Sequence, residues 1–203
     1  MSEEQKGALI LTHLQQEGAC GLGHVLSQRG LRTKTICTPR YDLSKIDPLR
    51  PDLLVVMGGP VGVYQAEDYP FLAQEIEILK TRLAADKPVI GICLGSQLMA
   101  KALGSKVYEG PQGKELGWSG LRLRPQGEDS PARHLSSKQT SMFHWHGDTF
   151  ALPDGCTLLA STDAYENQIY QAGANGLGLQ CHPEVREAQL QEWFVMFTGQ
   201  VTG

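Results

Sequence analysis

A chain of 203 residues with a net charge of −4 and ordinary apolar and charged fractions suits one globular domain with its own core. No lysine- or arginine-rich run offers a nucleic-acid surface, no apolar stretch approaches membrane-spanning length, and the polar, acidic opening Met1-Ser2-Glu3-Glu4-Gln5-Lys6 is unlike a secretory signal. The five cysteines, Cys20, Cys37, Cys93, Cys156 and Cys181, are odd in number, widely spaced and without a CxxC pair, which argues against a disulfide framework or a zinc knuckle and for a reduced, cytoplasmic compartment.

Ala8-Leu9-Ile10-Leu11, ending at Thr12-His13, predicts a first strand. Gly18 to Gly23 is glycine-dense, but it stands away from that strand's end and lacks the Lys-Ser/Thr of a phosphate loop, so a nucleotide site is not expected. A helix through His24 to Gln28 follows, closed by Gly30, and the β-branched stretch Thr33 to Cys37 reads as a strand ended by Pro39. Leu53 to Met57 is apolar throughout, as in a strand covered on both faces, and runs into Gly58-Gly59-Pro60. That order puts backbone N–H groups at the carboxyl edge of a sheet, where open α/β sheets bind ligands; it is equally ordinary turn punctuation. Leu72, Ile76, Leu79 and Leu83 share one helical face and predict an amphipathic helix from about Pro70 to Ala85.

Val89, Ile90 and Ile92 form the next buried strand, and Leu98, Met99, Ala102 and Leu103 recur at helical spacing before Gly104. Cys93 lies at the junction, between Gly91 and Gly95. This is the strand–turn–helix of a nucleophile elbow, with sulfur in place of a hydroxyl. The following helix offers N–H groups and its positive end to a thiolate; the plainer alternative is a small buried cysteine. After Gly104 the strands become shorter and more polar: Lys106 to Glu109, Gly117 to Arg124 and Gln139 to Trp145, with Gly127 to Pro131 as an exposed turn. Thr157 to Ser161, Asn167 to Gln171 and Leu177 to Gln180 continue the pattern, with Ala172 to Gly176 as a hairpin turn. Leu190, Trp193, Phe194 and Phe197 then stripe a closing helix. The whole implies one α/β domain over residues 1–203: a mostly parallel central sheet with helices on both faces, plus a smaller β-rich extension.

Two histidine clusters fall in the second half, Phe143-His144-Trp145-His146-Gly147-Asp148 and Gly178-Leu179-Gln180-Cys181-His182-Pro183-Glu184. Pro183 is placed like the first residue of a helix and Glu184 like its first-turn acid, which needs no chemistry. A histidine at the carboxyl end of an apolar strand, however, would border the same crevice as Cys93. Cys93, His182 and Glu184 would then make a nucleophile, a base and an orienter.

Gly58-Gly59-Pro60, Gly91-Ile92-Cys93-Leu94-Gly95-Ser96-Gln97, His146-Gly147-Asp148 and Gly178 to Glu184 resemble the four signature segments of class I, triad-type glutamine amidotransferases, in the family's order. The resemblance implies a flavodoxin-like fold and hydrolysis of a glutamine amide through a γ-glutamyl thioester on Cys93, with His182 as base and Glu184 as its partner. It further implies an oxyanion hole from the backbone N–H groups of Gly59 and Leu94, and a substrate site formed by Gln97, Trp145, His146 and Gly147. No metal and no cofactor are implied. Taken singly, Gln97 also suits a surface helix position, Trp145 a core, and His144 and His146 a loop-shaping role. Within the family, His146-Gly147-Asp148 and Glu166-Asn167-Gln168 most resemble the GMP-synthetase-like branch and its stand-alone members, some of which are γ-glutamyl peptidases. Gly18-Ala19-Cys20-Gly21 departs from the expected proline-containing turn, and Cys181 stands at a usually aromatic position, pointing by strand alternation into the core. No segment is left to bind ATP, so a receiving synthetase would be a separate protein. Expected partners are thus a small-molecule substrate and such a synthetase, with neither nucleic acid nor membrane. Three functions stay open: glutamine amide hydrolysis, γ-glutamyl peptide hydrolysis, and a non-catalytic module.

Overall fold

The structure is a computed structural model that describes residues 6–15 and 18–201; the opening residues 1–5 lie outside it. Its central sheet has eight strands. Five run parallel in the order β2 (Arg32–Cys37), β1 (Gly7–Thr12), β3 (Leu53–Val56), β4 (Val89–Ile92) and β12 (Gly176–Leu179). Three antiparallel strands, β11 (Ile169–Ala172), β10 (Thr157–Ser161) and β7 (Arg122–Leu123), extend the β12 edge. Two antiparallel ribbons pair β5 (Val107–Glu109) with β9 (Asp148–Phe150) and β6 (Glu115–Ser119) with β8 (Met142–His146). This is the mostly parallel α/β architecture with a β-rich extension that the sequence predicts.

Alternation along the strands sorts the core into two layers. Leu9, Leu11, Leu54, Val56 and Val89 face one way, onto helices α2 (Pro70–Ala84) and α3 (Leu94–Ala102), where Leu72, Leu79, Leu98 and Met99 meet them. Ala8, Ile10, Val55, Met57 and Ile92 face the other way, onto Leu26 of helix α1 (Cys20–Gln28) and onto Leu121, Ala132 and Leu159. Because both faces are covered, these strands carry no polar alternation, and each fully buried leucine or isoleucine contributes about 1.5–3 kcal/mol.

α3 lies close on the sheet because glycine permits it. A Cβ on Gly95 would run into the Val56 carbonyl, and one on Gly91 into the Gly95 carbonyl and the Met99 sulfur. Helix α2 also buries two charged residues that its apolar stripe hides. Arg82 is wholly enclosed and donates Nε to Pro88 O at 3.0 Å, Nη1 to Pro48 O at 2.6 Å and Nη2 to Pro51 O at 2.9 Å. Glu75 is the other.

Several elements differ from those the sequence predicts. Helix α1 begins at Cys20, so the glycine-dense segment is helical from Cys20 onward rather than a loop before a helix. The single strand expected over Gly117 to Arg124 divides between two sheets, because the chain turns inward after Ser119 to bury Leu121 in the second core layer. The exposed turn expected at Gly127 to Pro131 is instead a short helix α4 (Pro125–Glu128) and a 3-10 turn, Pro131–Leu135; Gly127 packs against the Leu159 carbonyl, where no Cβ would fit. Strand β9 had no signal of its own. The closing helix, α5 (Glu187–Met196), buries Trp193 but leaves Phe194 41% exposed. No helix among the described residues is long and apolar enough to cross a membrane.

Candidate active site

β4 ends at Ile92, and Cys93 turns the chain into α3 with φ 50° and ψ −109°, a left-handed conformation that costs a non-glycine residue about 1–3 kcal/mol. Hydrogen bonds over-determine it. Cys93 N donates to Leu179 O at 2.7 Å, while Cys93 O accepts from Ser96 N at 3.0 Å, Gln97 N at 3.2 Å and Ser96 Oγ at 2.7 Å. Tyr170 Oη in turn holds Ser96 O at 2.7 Å. Cys93 O thus takes the N–H groups of Ser96 and Gln97, while those of Leu94 and Gly95, which open α3, have no carbonyl one turn back within the helix.

The second half of the site leaves the sheet from the neighbouring strand β12. His182 N donates to Phe143 O at 2.8 Å, joining the end of β12 to ribbon β6–β8. Its ring packs edge-on against Trp193, with centroids 5.4 Å apart. His182 Nδ1 lies 2.9 Å from Glu184 Oε1; a carboxylate accepts, so Nδ1 donates and Nε2 is left free of that bond. Burial works against a charge on the imidazole. The Glu184 carboxylate, the Cys93 sulfur and hydrogen bonds to both outweigh it, holding His182 well above the ordinary histidine range. Pro183 and Glu184 do not open the helix that the sequence predicts at this point. They form a turn, and α5 starts only at Glu187. Glu184 therefore does not act as a helix-end charge, and its side chain is buried against His182. The turn is held from α1, where Gly21 N donates to Glu184 O at 2.8 Å; a Cβ at Gly21 would stand 2.9 Å from that oxygen.

Cys93, His182 and Glu184 open onto one cleft of about 250 Å³. Gly59, Gln97, Trp145, His146 and Gly147 line the same cleft, so every predicted site residue except Leu94 is on its wall; Leu94 is buried behind Cys93. Gln97 is not a surface glutamine. It is 3% exposed and donates Nε2 to Gln180 Oε1 at 3.0 Å and to Asp148 O at 3.4 Å. The Cys93 thiol points to Trp145 O at 3.7 Å. His146 reaches the wall with both ring nitrogens engaged, Nδ1 at 3.0 Å from Asp148 O and Nε2 at 3.0 Å from Glu115 Oε2. Cys181 is fully buried in the second core layer, and burial pushes its thiol up, away from reactivity.

Tyr64, Lys114 and Asp148 also line the cleft and were not expected there. Burial raises the Asp148 carboxyl, with the Tyr64 hydroxyl bonded to it in opposition. Asp148 follows His146-Gly147 directly and was legible as part of that segment; Tyr64 and Lys114 had no signal beyond lying near glycine turns. Glu115, His144 and His146 bring three metal-ligand-type atoms within 4.8 Å of one another. The central oxygen, Glu115 Oε2, already faces His146 Nε2 and accepts from Gln168 Nε2 at 2.6 Å, so the group is a polar knot fastening β6 to β8.

The family profile "Glutamine amidotransferase class-I" matches residues 21–197. The glutamine amidotransferase-like protein YfeJ of Salmonella typhimurium is 39% identical over 137 residues, which cover 66% of this chain and 56% of that protein. The glutamine-hydrolysing GMP synthase of Gloeothece citriformis is 35% identical over 153 residues, 72% of this chain and 25% of the synthase. The chain thus spans about half of the first relative and a quarter of the second. The crystal structure of a glutamine amidotransferase from Thermotoga maritima superposes with a TM-score of 0.88 at 30% identity, covering 98% of this chain and 85% of that one.

Proposed function

The chain belongs to the class-I glutamine amidotransferase family, and from that premise we propose that it hydrolyses the side-chain amide of glutamine, or of a γ-glutamyl amide, on Cys93. The observation that carries this reading is His182, bonded to Glu184 at 2.9 Å and facing the Cys93 sulfur across one cleft.

In the proposed reaction the Cys93 thiolate attacks the amide carbon, an S–C bond forms, and the carbonyl electrons move to oxygen. The N–H groups of Gly59 and Leu94 stabilise that oxyanion. His182 gives its proton to the leaving nitrogen, the C–N bond breaks, and ammonia departs, leaving a thioester. His182 then takes a proton from water, which attacks the thioester; the S–C bond breaks and the free carboxylate leaves. Glu184 keeps the imidazole in the tautomer and orientation for both steps. Gln97, Trp145, His146 and Gly147 surround the amino-acid end of the substrate. The released ammonia serves a synthetase, in keeping with the similarity to glutamine-hydrolysing GMP synthases. A cytoplasmic site of action belongs to the same proposal, since all five cysteines are free.

The test measures ammonia release from glutamine beside glutamate release from γ-glutamyl peptides, with covalent labelling by a glutamine-analogue electrophile. Label on Cys93, and no turnover by Cys93→Ala, are expected. Label elsewhere, or retained turnover, overturns the mechanism. Faster release from peptides than from glutamine reassigns the substrate to the γ-glutamyl peptide class.

A further inference from the structure

Behind the Gly58-Gly59 turn, on the side away from Cys93, sits a buried histidine–carboxylate pair that the proposed steps leave unused. His13 follows β1 and Glu75 projects inward from α2; their side chains are 1% and 0% exposed, and His13 Nε2 lies 3.0 Å from Glu75 Oε2. The other ring nitrogen, Nδ1, stands 2.7 Å from the Gly58 carbonyl oxygen. A carbonyl only accepts, so Nδ1 is the donor.

Gly59 lies flat on this ring. A Cβ there would come to 2.8 Å from His13 Cβ and 2.9 Å from its Cγ and Nδ1. On the opposite side, a Cβ on Gly58 would meet His182 Cε1 at 3.3 Å and Cys93 Cβ at 3.5 Å. The two glycines are therefore clamped between His13 and the reacting pair.

Gly58 C=O and Gly59 N–H belong to one planar trans unit and point in opposite directions. With glycine on both sides, such a unit turns over at little steric cost, so glycine alone does not fix which group faces the cleft. Holding the oxygen toward His13 holds the N–H the other way. We infer that His13, braced by Glu75, is a positioning residue that selects the orientation of the Gly58–Gly59 peptide in which Gly59 N–H faces the developing oxyanion. Donation into the carbonyl also polarises the peptide and strengthens its N–H as a donor. This inference rests on the amide-hydrolase reading and adds to it the residue that prepares one of the oxyanion donors.

The test compares H13L/E75L with H13N/E75L. Both lack the carboxylate, so neither strands a buried charge, and they differ in whether a side-chain N–H can still reach Gly58 O. In H13L/E75L, kcat for amide hydrolysis is expected to fall by about 10²–10³-fold, as for loss of one oxyanion donor. KM, and the rate of Cys93 alkylation by iodoacetamide, which displaces iodide and develops no oxyanion, should stay within about threefold. H13N/E75L should recover at least about tenfold in kcat. A crystal structure of H13L/E75L should show the Gly58–Gly59 peptide turned over. Unchanged kcat, alkylation that falls in step with kcat, or an unmoved peptide each overturn the inference. Should H13L/E75L not fold, H13L/E75Q serves, since it too lacks the donor to Gly58 O: a kcat loss at constant KM is expected, and an unchanged kcat overturns it. A wild-type protein that is alkylated at Cys93 but turns over no γ-glutamyl compound would defeat the hydrolase reading alone; the peptide orientation in the two crystal structures still decides for or against His13.

Discussion

His182 Nδ1 and Glu184 Oε1 are 2.9 Å apart within a single turn, and the carboxylate fixes which ring nitrogen is left for the Cys93 sulfur. Substituting Glu184 by glutamine keeps the bulk but removes the charge and allows the wrong tautomer. Turnover is expected to fall by on the order of 10²–10⁴-fold, read from kcat at saturating substrate. The same change has a stability signature. His182 has a folded-state value raised above its ordinary one, so its contribution is fully present below about pH 6.5 and is lost as pH rises through the folded value. As pH rises above about 6.5, by that sign, the wild type should lose stability that E184Q has already lost, a difference visible in Tm against pH.

Cys93 sits at φ 50°, where a side chain is strained. C93A should abolish turnover yet keep that strain, whereas C93G should relieve it. Chemical denaturation is expected to find C93G at least as stable as C93A, by about 1 kcal/mol, reversing the usual order of alanine over glycine.

His144 is fully enclosed, and burial holds its imidazole below the ordinary histidine range, with Glu115 opposing. A group that resists protonation only when folded lets the unfolded chain bind more protons, so stability must fall as pH drops below about 6.5. Replacing His144 by glutamine should flatten the slope of unfolding free energy against pH between about 5 and 7, whatever it does to the absolute value.

Arg82 gathers the carbonyls of Pro48, Pro51 and Pro88 around one guanidinium. R82M leaves them buried without a donor and should cost about 3 kcal/mol or more in denaturant titration. Lysine offers a single ammonium on a flexible stem and should rescue little of that loss.

What the sequence disclosed depended on how local each determinant is. Leu53 to Val56 and Val89 to Ile92 are apolar because both faces of their strands are covered, and Gly91-Ile92-Cys93-Leu94-Gly95 writes its elbow in adjacent letters. That Cys93, His182 and Glu184 border one crevice could therefore be read beforehand. Glu75 and Arg82 could not, since each occupies an ordinary polar position on α2 and is buried only by partners far along the chain. Pro183-Glu184 carried a real helix-start signal that lost to the His182–Glu184 bond and to the grip of Gly21 on the Glu184 carbonyl. The break between β6 and β7 was hidden for the same reason: which sheet a short polar strand joins is decided by its neighbours, not by its letters.

Ile92 and Leu179 are directly paired in the parallel ladder, and the thiol and the imidazole follow within three residues of that rung. Their spacing is thus inherited from the roughly 4.8 Å gap between strands, the least adjustable dimension a protein has. The rim residues Tyr64, Lys114 and Trp145 hang from other segments. Such a layout lets selection rewrite the rim of the cleft, letter by letter, while the distance from thiol to imidazole stays in tune.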